Sequence, residues 1–202
     1  MLQIHPDITK AETLPTDFYT GKGYFEQSKD KIFARSWQFA ASMEEVKVPG
    51  QTFPFTLLPG YLDEPLLLNR DANDQLHCIS NVCTHRGNLV CEKGGIEKNL
   101  RCRYHGRRFN LDGSFIAMPE FEGVEDFPSE KDNLASVPFD TWGGFVFTSL
   151  FPFFTFKDAF GQMISRISWL NPENYVFSQA HSKDYLVNAN WALYCEDRKS
   201  VV

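Results

Sequence analysis

Between residues 38 and 150, hydrophobic and polar residues alternate in short runs, and no long stretch has the spacing of an amphipathic helix. Turn dipeptides such as Pro59-Gly60, Gly94-Gly95 and Asp112-Gly113 separate these runs. The pattern predicts strands at Thr52–Leu58, Pro65–Asn69, Leu76–Asn81, Leu100–Tyr104, Arg108–Leu111 and Gly144–Leu150. We therefore expect this region to fold as a small antiparallel β domain.

The segments around this region have other patterns. Gly23 to Trp37 carries apolar residues spaced for one face of a helix, and Lys157–Leu170 is predicted to form a second helix. Tyr175–Val187 is predicted to supply strand residues. Within the β region, the acidic stretch 119–133 contains two prolines, which favours an exposed loop.

Two short loops in the β region carry the candidate chemistry. One reads Cys83-Thr84-His85-Arg86-Gly87 and the other reads Cys102-Arg103-Tyr104-His105-Gly106. Each offers one thiolate and one imidazole, and its glycine lets the backbone turn without a Cβ clash. We expect Cys83, His85, Cys102 and His105 to face one another as a four-ligand metal site.

Two metal groups suit two thiolates and two imidazoles. One is a tetrahedral Zn²⁺, and the other is a [2Fe–2S] cluster of Rieske type, in which two histidines replace two cysteines on one iron. Structural zinc sites usually take their ligands as Cys-x₂₋₄-Cys and His-x₃₋₅-His pairs. Here each loop supplies one ligand of each kind, which favours the cluster, and zinc stays open as the alternative.

The two loop sequences, and with them most of the chain, resemble ring-hydroxylating oxygenase α-subunits that carry a Rieske domain, including the choline- and carnitine-monooxygenase-like branch. The similarity extends to Leu14-Pro15 and residues 24–37, to Asn69-Arg70-Asp71 and Asn110-Leu111-Asp112-Gly113, and to Asn190-Trp191-Ala192-Leu193-Tyr194-Cys195-Glu196. The last run resembles the start of the family's iron-binding helix. One departure is that most members follow the second His-Gly with Trp, whereas this chain has Arg107-Arg108.

The resemblance implies a mainly β fold with an N-terminal helical segment at 1–37, a Rieske [2Fe–2S] domain at 38–150, and the start of an α+β catalytic domain at 151–196. It implies that Cys83, His85, Cys102 and His105 bind the cluster. The parent would be a mono- or dioxygenase that hydroxylates a small aromatic or quaternary amine with O₂ and electrons from NAD(P)H. A ferredoxin or flavoprotein reductase would deliver these electrons, and a homo-oligomer, such as a trimer, is expected.

A stand-alone Rieske-type ferredoxin is the alternative function. It would explain a cluster without a second iron site, but such a small carrier does not need the N-terminal helix or the residues after Leu150. The loops also lack features of respiratory-chain Rieske proteins: Asn88 and Tyr104 stand where those carry a disulfide, and Arg107 where they carry a sulfur-bonding Ser. Fewer hydrogen bonds to the cluster sulfurs predict a low reduction potential, roughly −150 mV.

The C-terminal part of the sequence bears on the predicted iron site and activity. The family binds a mononuclear Fe(II) through two His and one Asp beyond the Asn190 motif, and no histidine follows Asn190 here. We therefore expect no catalytic iron ligands and no activity from this chain alone, with Fe(II) bound only by a full-length parent. Residues 197–202 match the translation of a common sequencing adapter, which predicts a truncated parent and a non-native tail.

Charge and composition narrow the partners and the location. The chain has net charge −6, yet the segment from Cys83 to Asn110 holds seven basic and two acidic residues, which predicts a basic collar that steers an acidic electron donor. Overall acidity argues against nucleic acid as a partner. The N-terminus shows no secretory signal, and the longest apolar run is too short for a membrane helix. Of the five cysteines, Cys78, Cys91 and Cys195 are predicted to be reduced and packed, as in the cytoplasm.

Overall fold

The computed structural model describes residues 4–196, which form two compact units. The larger unit runs from Phe33 to Phe177 and contains all the strands found in the described residues. The smaller unit combines the described residues before Phe33 with those from Ser178 onward. None of the helices between residues 4 and 196 has the length and hydrophobicity of a transmembrane span.

The strands of the larger unit build three antiparallel sheets. They are β1 (Gln38–Ser42), β2 (Gln51–Leu57), β3 (Glu64–Arg70), β4 (Leu76–Ser80), β5 (Gly95–Ile96), β6 (Leu100–Arg101), β7 (Arg108–Phe109), β8 (Phe115–Ala117), β9 (Phe139–Trp142) and β10 (Phe145–Thr148). Their orders are β4-β3-β2-β5, β6-β7-β8 and β1-β10-β9. All six predicted strands are confirmed, although β6, β7 and β10 are shorter than predicted. Strands β1, β5, β8 and β9 had not been predicted.

Strand β3 separates two apolar cores. It is hydrogen-bonded to β2 along one edge and to β4 along the other. Because successive side chains on a strand point to opposite faces, Leu67 packs into one core while Leu66 and Leu68 pack into the other. The core that contains Leu67 also contains Cys83 and Cys102. The two candidate metal loops are therefore anchored in the interior of the β domain.

The α-helices of the described residues are α1 (Thr16–Thr20), α2 (Lys22–Ser28), α3 (Phe156–Arg166) and α4 (Trp191–Glu196). Helix α3 begins at a capping box, in which the Asp158 N–H donates to Thr155 Oγ1 at 3.1 Å and the Thr155 N–H donates to the Asp158 carboxylate at 3.2 Å. The predicted helix at Lys157–Leu170 is confirmed as α3 followed by a 3₁₀ turn at Ser168–Leu170.

The predicted helix from Gly23 to Trp37 is partly wrong. Helical structure begins earlier, breaks at Gly21, and ends in a π-helical turn at Lys29–Phe33. Trp37 instead precedes β1, where its indole N–H donates to the Phe154 carbonyl at 3.0 Å and its ring packs edge-on against Phe156. Spacing alone allowed a continued helix, but packing of Trp37 against the start of α3 decides its conformation.

The strand predicted at Tyr175–Val187 is wrong. None of the described strands pairs with this segment, which instead contains a 3₁₀ turn at Gln179–His181. Its side chains are exposed, and Leu186 is fully so. A strand needs a partner for its N–H and C=O groups, and apolar side chains at these positions do not supply one.

Candidate metal centre

The two candidate metal loops share one backbone design. The first follows β4, and the second joins β6 to β7. In each loop the glycine N–H donates to the cysteine carbonyl at 3.0 Å, from Gly87 to Cys83 and from Gly106 to Cys102. Both glycines have positive φ, +70° and +76°, which favours glycine over other residues. Two matching tight turns therefore present the four predicted ligands.

The structure brings the four predicted ligands together as two pairs of like donors. The thiols of Cys83 and Cys102 are buried in the same core, and the nearby Cys102 thiol raises the pKa of Cys83. The imidazole rings of His85 and His105 are half-buried, with centroids 4.7 Å apart and an interplanar angle of 71°. Within residues 4–196, no three His, Cys, Asp or Glu side chains converge on a single-ion position. A separate sulfur pair and nitrogen pair is the donor arrangement of a two-iron Rieske cluster.

Burial shapes the protonation of these donors. Burial raises the pKa of the Cys83 thiol, a backbone hydrogen bond within the loop at His85 opposes the shift, and the neighbouring Cys102 thiol adds to it. Burial and the nearby charge of His105 lower the pKa of His85. Metal ligands must be thiolates or neutral imidazoles. His85 is thus in its ligand form at neutral pH, whereas the Cys83 thiol holds its proton until a metal displaces it.

Aromatic rings flank the histidine pair. The Tyr104 ring lies 3.9 Å from the His105 ring at an interplanar angle of 34°, and Tyr104 is 59% exposed. The Phe121 ring lies edge-on to His85 at 6.3 Å. Phe121 belongs to the predicted loop at 119–133, which the structure confirms as a loop apart from a short 3₁₀ turn at Glu130–Asp132.

The predicted basic collar is wrong at one residue, Arg107. Its side chain is buried, whereas the other basic residues of the segment are exposed, namely Arg86, Lys93, Lys98, Arg101, Arg103 and Arg108. The guanidinium donates to Thr84 Oγ1 at 2.6 Å and to Asp132 Oδ1 at 3.0 Å. A buried charge requires a partner of opposite charge, and Asp132 supplies it. No spacing rule links Arg107 to a carboxylate 25 residues away, so the sequence reasoning missed this pair.

Asn88 also makes a contact that had not been foreseen. Its Nδ2 donates to Cys102 Sγ at 3.8 Å, which joins the first loop to the second. In the sequence, Asn88 was notable only because it stands where respiratory-chain Rieske proteins carry a disulfide cysteine. A hydrogen bond to the sulfur of a predicted ligand acts against the expected low reduction potential, since such bonds stabilise the reduced state of a cluster.

The remaining candidate residues are three further cysteines and His181. Cys78 and Cys91 are buried free thiols as predicted, and burial raises the pKa of Cys78 to about 11. Cys195 is free but exposed, so its predicted packing is wrong. His181, which the sequence did not assign to an iron site, is exposed and lies 2.8 Å from Ser178 Oγ. The predicted tail at 197–202 lies outside the described residues.

Comparison with known proteins agrees with this geometry. Residues 36–128 match the family model of the Rieske [2Fe-2S] domain. The chloroplastic choline monooxygenase of Beta vulgaris is 26% identical over 201 residues, covering 96% of this chain and 44% of that protein. The carnitine monooxygenase oxygenase subunit of Escherichia coli (strain K12) is 33% identical over 144 residues, covering 71% of this chain and 37% of that protein. The chain spans less than half the length of these relatives.

Solved structures show the same likeness. The apo form of the quaternary ammonium Rieske monooxygenase CntA superimposes with a TM-score of 0.70 at 28% identity, covering 79% of this chain and 46% of that one. Naphthalene 1,2-dioxygenase from Rhodococcus sp. bound to indole gives a TM-score of 0.65 at 22% identity, covering 73% of this chain and 34% of that one. At 22% identity the second likeness supports the fold alone.

Proposed function

This chain carries a Rieske [2Fe–2S] domain and is homologous to oxygenase subunits, and from that we propose that it is the electron-transfer portion of an oxygenase α-subunit. In this proposal Cys83 and Cys102 bind one iron through sulfur, and His85 and His105 bind the other through ring nitrogens. The separation of the four donors into a thiol pair and an imidazole pair carries the assignment. A tetrahedral zinc site would instead need all four donors around one ion.

The surrounding residues suit one-electron transfer. When bound, the cluster would take up and release a single electron. Cys83 and Cys102 lie in the apolar core and keep water from the sulfur side. His85 and His105 are half-buried, so their ring edges come nearest to the surface. We therefore expect the electron to enter or leave through the histidine pair.

The parent protein would use these electrons to hydroxylate a small substrate. In monooxygenation, one oxygen atom of O₂ enters a C–H bond and the other leaves as water, with two electrons from NAD(P)H and two protons consumed. The curated relatives named above are choline and carnitine monooxygenases, which favours a quaternary amine over an aromatic ring as the substrate. The mononuclear Fe(II) belongs to the full-length parent in this proposal.

Partners follow from the exposed charges near the centre. Six exposed basic residues between Cys83 and Asn110 favour docking of an acidic ferredoxin or flavoprotein reductase. We expect the parent to form a homo-oligomer, since a solved quaternary ammonium Rieske monooxygenase that this chain resembles uses inter-subunit electron transfer. The free thiols of the described residues favour a reducing compartment such as the cytoplasm.

The stand-alone ferredoxin is the weaker reading. The match to the Beta vulgaris enzyme covers 96% of this chain, so it extends well beyond the Rieske domain on both sides. An electron carrier alone would have no use for those flanking segments. We therefore keep the oxygenase portion as the proposed function.

Metal analysis tests the proposal directly. The 202-residue chain, purified anaerobically with iron and sulfide supplied, should be coloured and contain two irons and two sulfides per chain. Its reduced form should give the electron paramagnetic resonance signal of a cluster with mixed nitrogen and sulfur ligands. A colourless protein with one zinc per chain would contradict the proposal.

Matched alanine variants locate the ligands. Cys83→Ala should abolish the cluster, because it removes a thiolate from the buried pair. Cys78→Ala makes the same change at a buried thiol in β4, outside the centre, and should retain the cluster. Equal cluster content in the two variants would remove Cys83 from the ligand set. Hydroxylation of choline or carnitine by the full-length parent with a reductase, but not by this chain, tests the whole-protein part of the proposal.

A further inference from the structure

Arg107 occupies an unusual place between the two candidate metal loops. It follows His105-Gly106 directly, and its carbonyl accepts the Cys102 N–H at 2.9 Å, which closes the second loop. Its side chain is only 4% exposed. A long, permanently charged side chain in such a position must find its partners within the protein.

Those partners join the second loop to the first. Arg107 Nη1 donates to Thr84 Oγ1 at 2.6 Å, and Thr84 lies between the ligands Cys83 and His85. Arg107 Nη2 donates to Asp132 Oδ1 at 3.0 Å, and Thr84 Oγ1 in turn donates to the Asp132 carbonyl at 2.8 Å. Three residues from three separate segments therefore form one closed hydrogen-bonded network.

Apolar and aromatic surroundings strengthen this network. The guanidinium lies over the rings of Phe115 and Phe127, 5.3 and 5.5 Å from their centroids. Asp132 is itself held by Ser129, whose N–H and hydroxyl both donate to its second carboxylate oxygen. Electrostatic interactions are weakly screened in such an environment. The positive charge of Arg107 therefore acts on the adjacent loop, and the positions of Cys83 and His85 lie within its reach.

We propose, resting on the proposed function, that Arg107 is a positioning residue of the cluster site. It ties the second loop to the first through Thr84 and Asp132, and its buried positive charge favours the reduced state of the cluster. A disulfide between the loops is absent at this site, and the Arg107 network is a non-covalent connection between the same two segments. The charge of Arg107 can be separated from its hydrogen-bonded tie to Thr84 and Asp132. A lysine at position 107 retains the positive charge but lacks the forked geometry that bonds both partners.

Four variants of the 202-residue chain test the two roles. Arg107→Met removes the charge and the tie, and Arg107→Lys keeps the charge. Asp132→Asn keeps the charge and removes its partner. Arg108→Met is the matched control, because it makes the same chemical change at the adjacent, exposed arginine.

The reduction potential reports the charge. At a fixed applied potential, Arg107→Met should lower the ratio of reduced to oxidised cluster by about tenfold. This corresponds to a reduction potential lowered by about 59 mV for one electron. Arg107→Lys should stay near wild type, and Asp132→Asn should shift the ratio the other way. A potential for Arg107→Met equal to that of Arg108→Met would overturn the electrostatic role. If Arg107→Met does not fold, an unchanged potential in Asp132→Asn overturns it equally.

Hydrogen exchange in the metal-free chain reports the tie. Amides of residues 84–88 should exchange several-fold faster in Arg107→Met and in Arg107→Lys than in Arg108→Met. Equal exchange in all of them would refute the tie. The exchange measurement does not depend on the cluster. If the wild-type chain bound no iron, the proposed function would be contradicted, but hydrogen exchange would still decide whether Arg107 ties the two loops together.

Discussion

Phe109 makes a sharp test of the core beneath the metal loops. It lies on β7 and is fully buried, and its ring packs edge-on against Phe115 with centroids 6.3 Å apart. Cys83 and Cys102 belong to the same core. Phe109→Ala would leave a cavity that cannot collapse without moving both loops, and such a change costs about 3–5 kcal/mol of unfolding free energy.

The size of this effect can be converted into a measurement. A slope of about 2 kcal/mol per molar urea is usual for a domain of this kind, so the unfolding midpoint should fall by about 2 M. Urea titration followed by tryptophan fluorescence would give the midpoint. The visible absorbance of the bound cluster should be lost at lower urea as well, because its ligand loops rest on the same core.

Phe151→Ala is the matched control for this prediction. It makes the same substitution at a phenylalanine that is 66% exposed, and it should cost only about 1 kcal/mol or less. If both variants lost the same stability, Phe109 would not be the centre of a packed core. A lowered midpoint with cluster absorbance lost only at the wild-type urea concentration would refute the link between core packing and ligand position.

Three further predictions concern single polar groups. His105→Cys should retain some cluster at a lower reduction potential, because an anionic thiolate favours the oxidised state; a raised potential in redox titration would oppose this. Asn88→Ala should also lower the potential, since it removes the donor to Cys102 Sγ, and an unchanged value would discount that 3.8 Å contact. Burial alone would raise the pKa of Asp71, but hydrogen bonds from His77 and the turn amides hold this pKa below its usual value. The stability from Asp71 is therefore present above about pH 4 and lost on further acidification, so the unfolding difference between wild type and Asp71→Asn should shrink from pH 6 to pH 3.

The sequence predicted the parts of the fold that local patterns determine. Strands β2, β3 and β4 have long apolar or β-branched runs bounded by turn residues, and each appears close to its predicted ends. Strands β5 and β8 have only two and three residues and were missed, whereas the equally short β6 and β7 were predicted within longer runs. The existence of β5 and β8 depends on pairing with β2 and β7, which is a tertiary property.

The candidate site also has residues that local sequence predicts and residues that depend on tertiary folding. Cys83, His85, Cys102 and His105 could be found because each pair sits on one tight turn, where spacing and glycine positions are visible in the sequence. Asp132 could not be found, because it reaches Arg107 only after the acidic loop folds back beside the first metal loop. The same contact explains why Arg107 was wrongly placed among exposed basic residues, since a count of charges does not show which of them will be paired and buried.

The reduction potential depends on which of the contacts around the sulfurs and histidines is strongest. The expected low value assumed few hydrogen bonds to sulfur, and the single Asn88 contact, at 3.8 Å, is long and therefore weak. A unit charge in a partly buried site still contributes about 1–2 kcal/mol at 8–15 Å, which exceeds one weak hydrogen bond. Asp132 offsets part of the Arg107 charge, but it also fixes that charge beside the first loop. The pairing of Arg107 with Asp132 should therefore control the potential more than the number of hydrogen bonds to sulfur does.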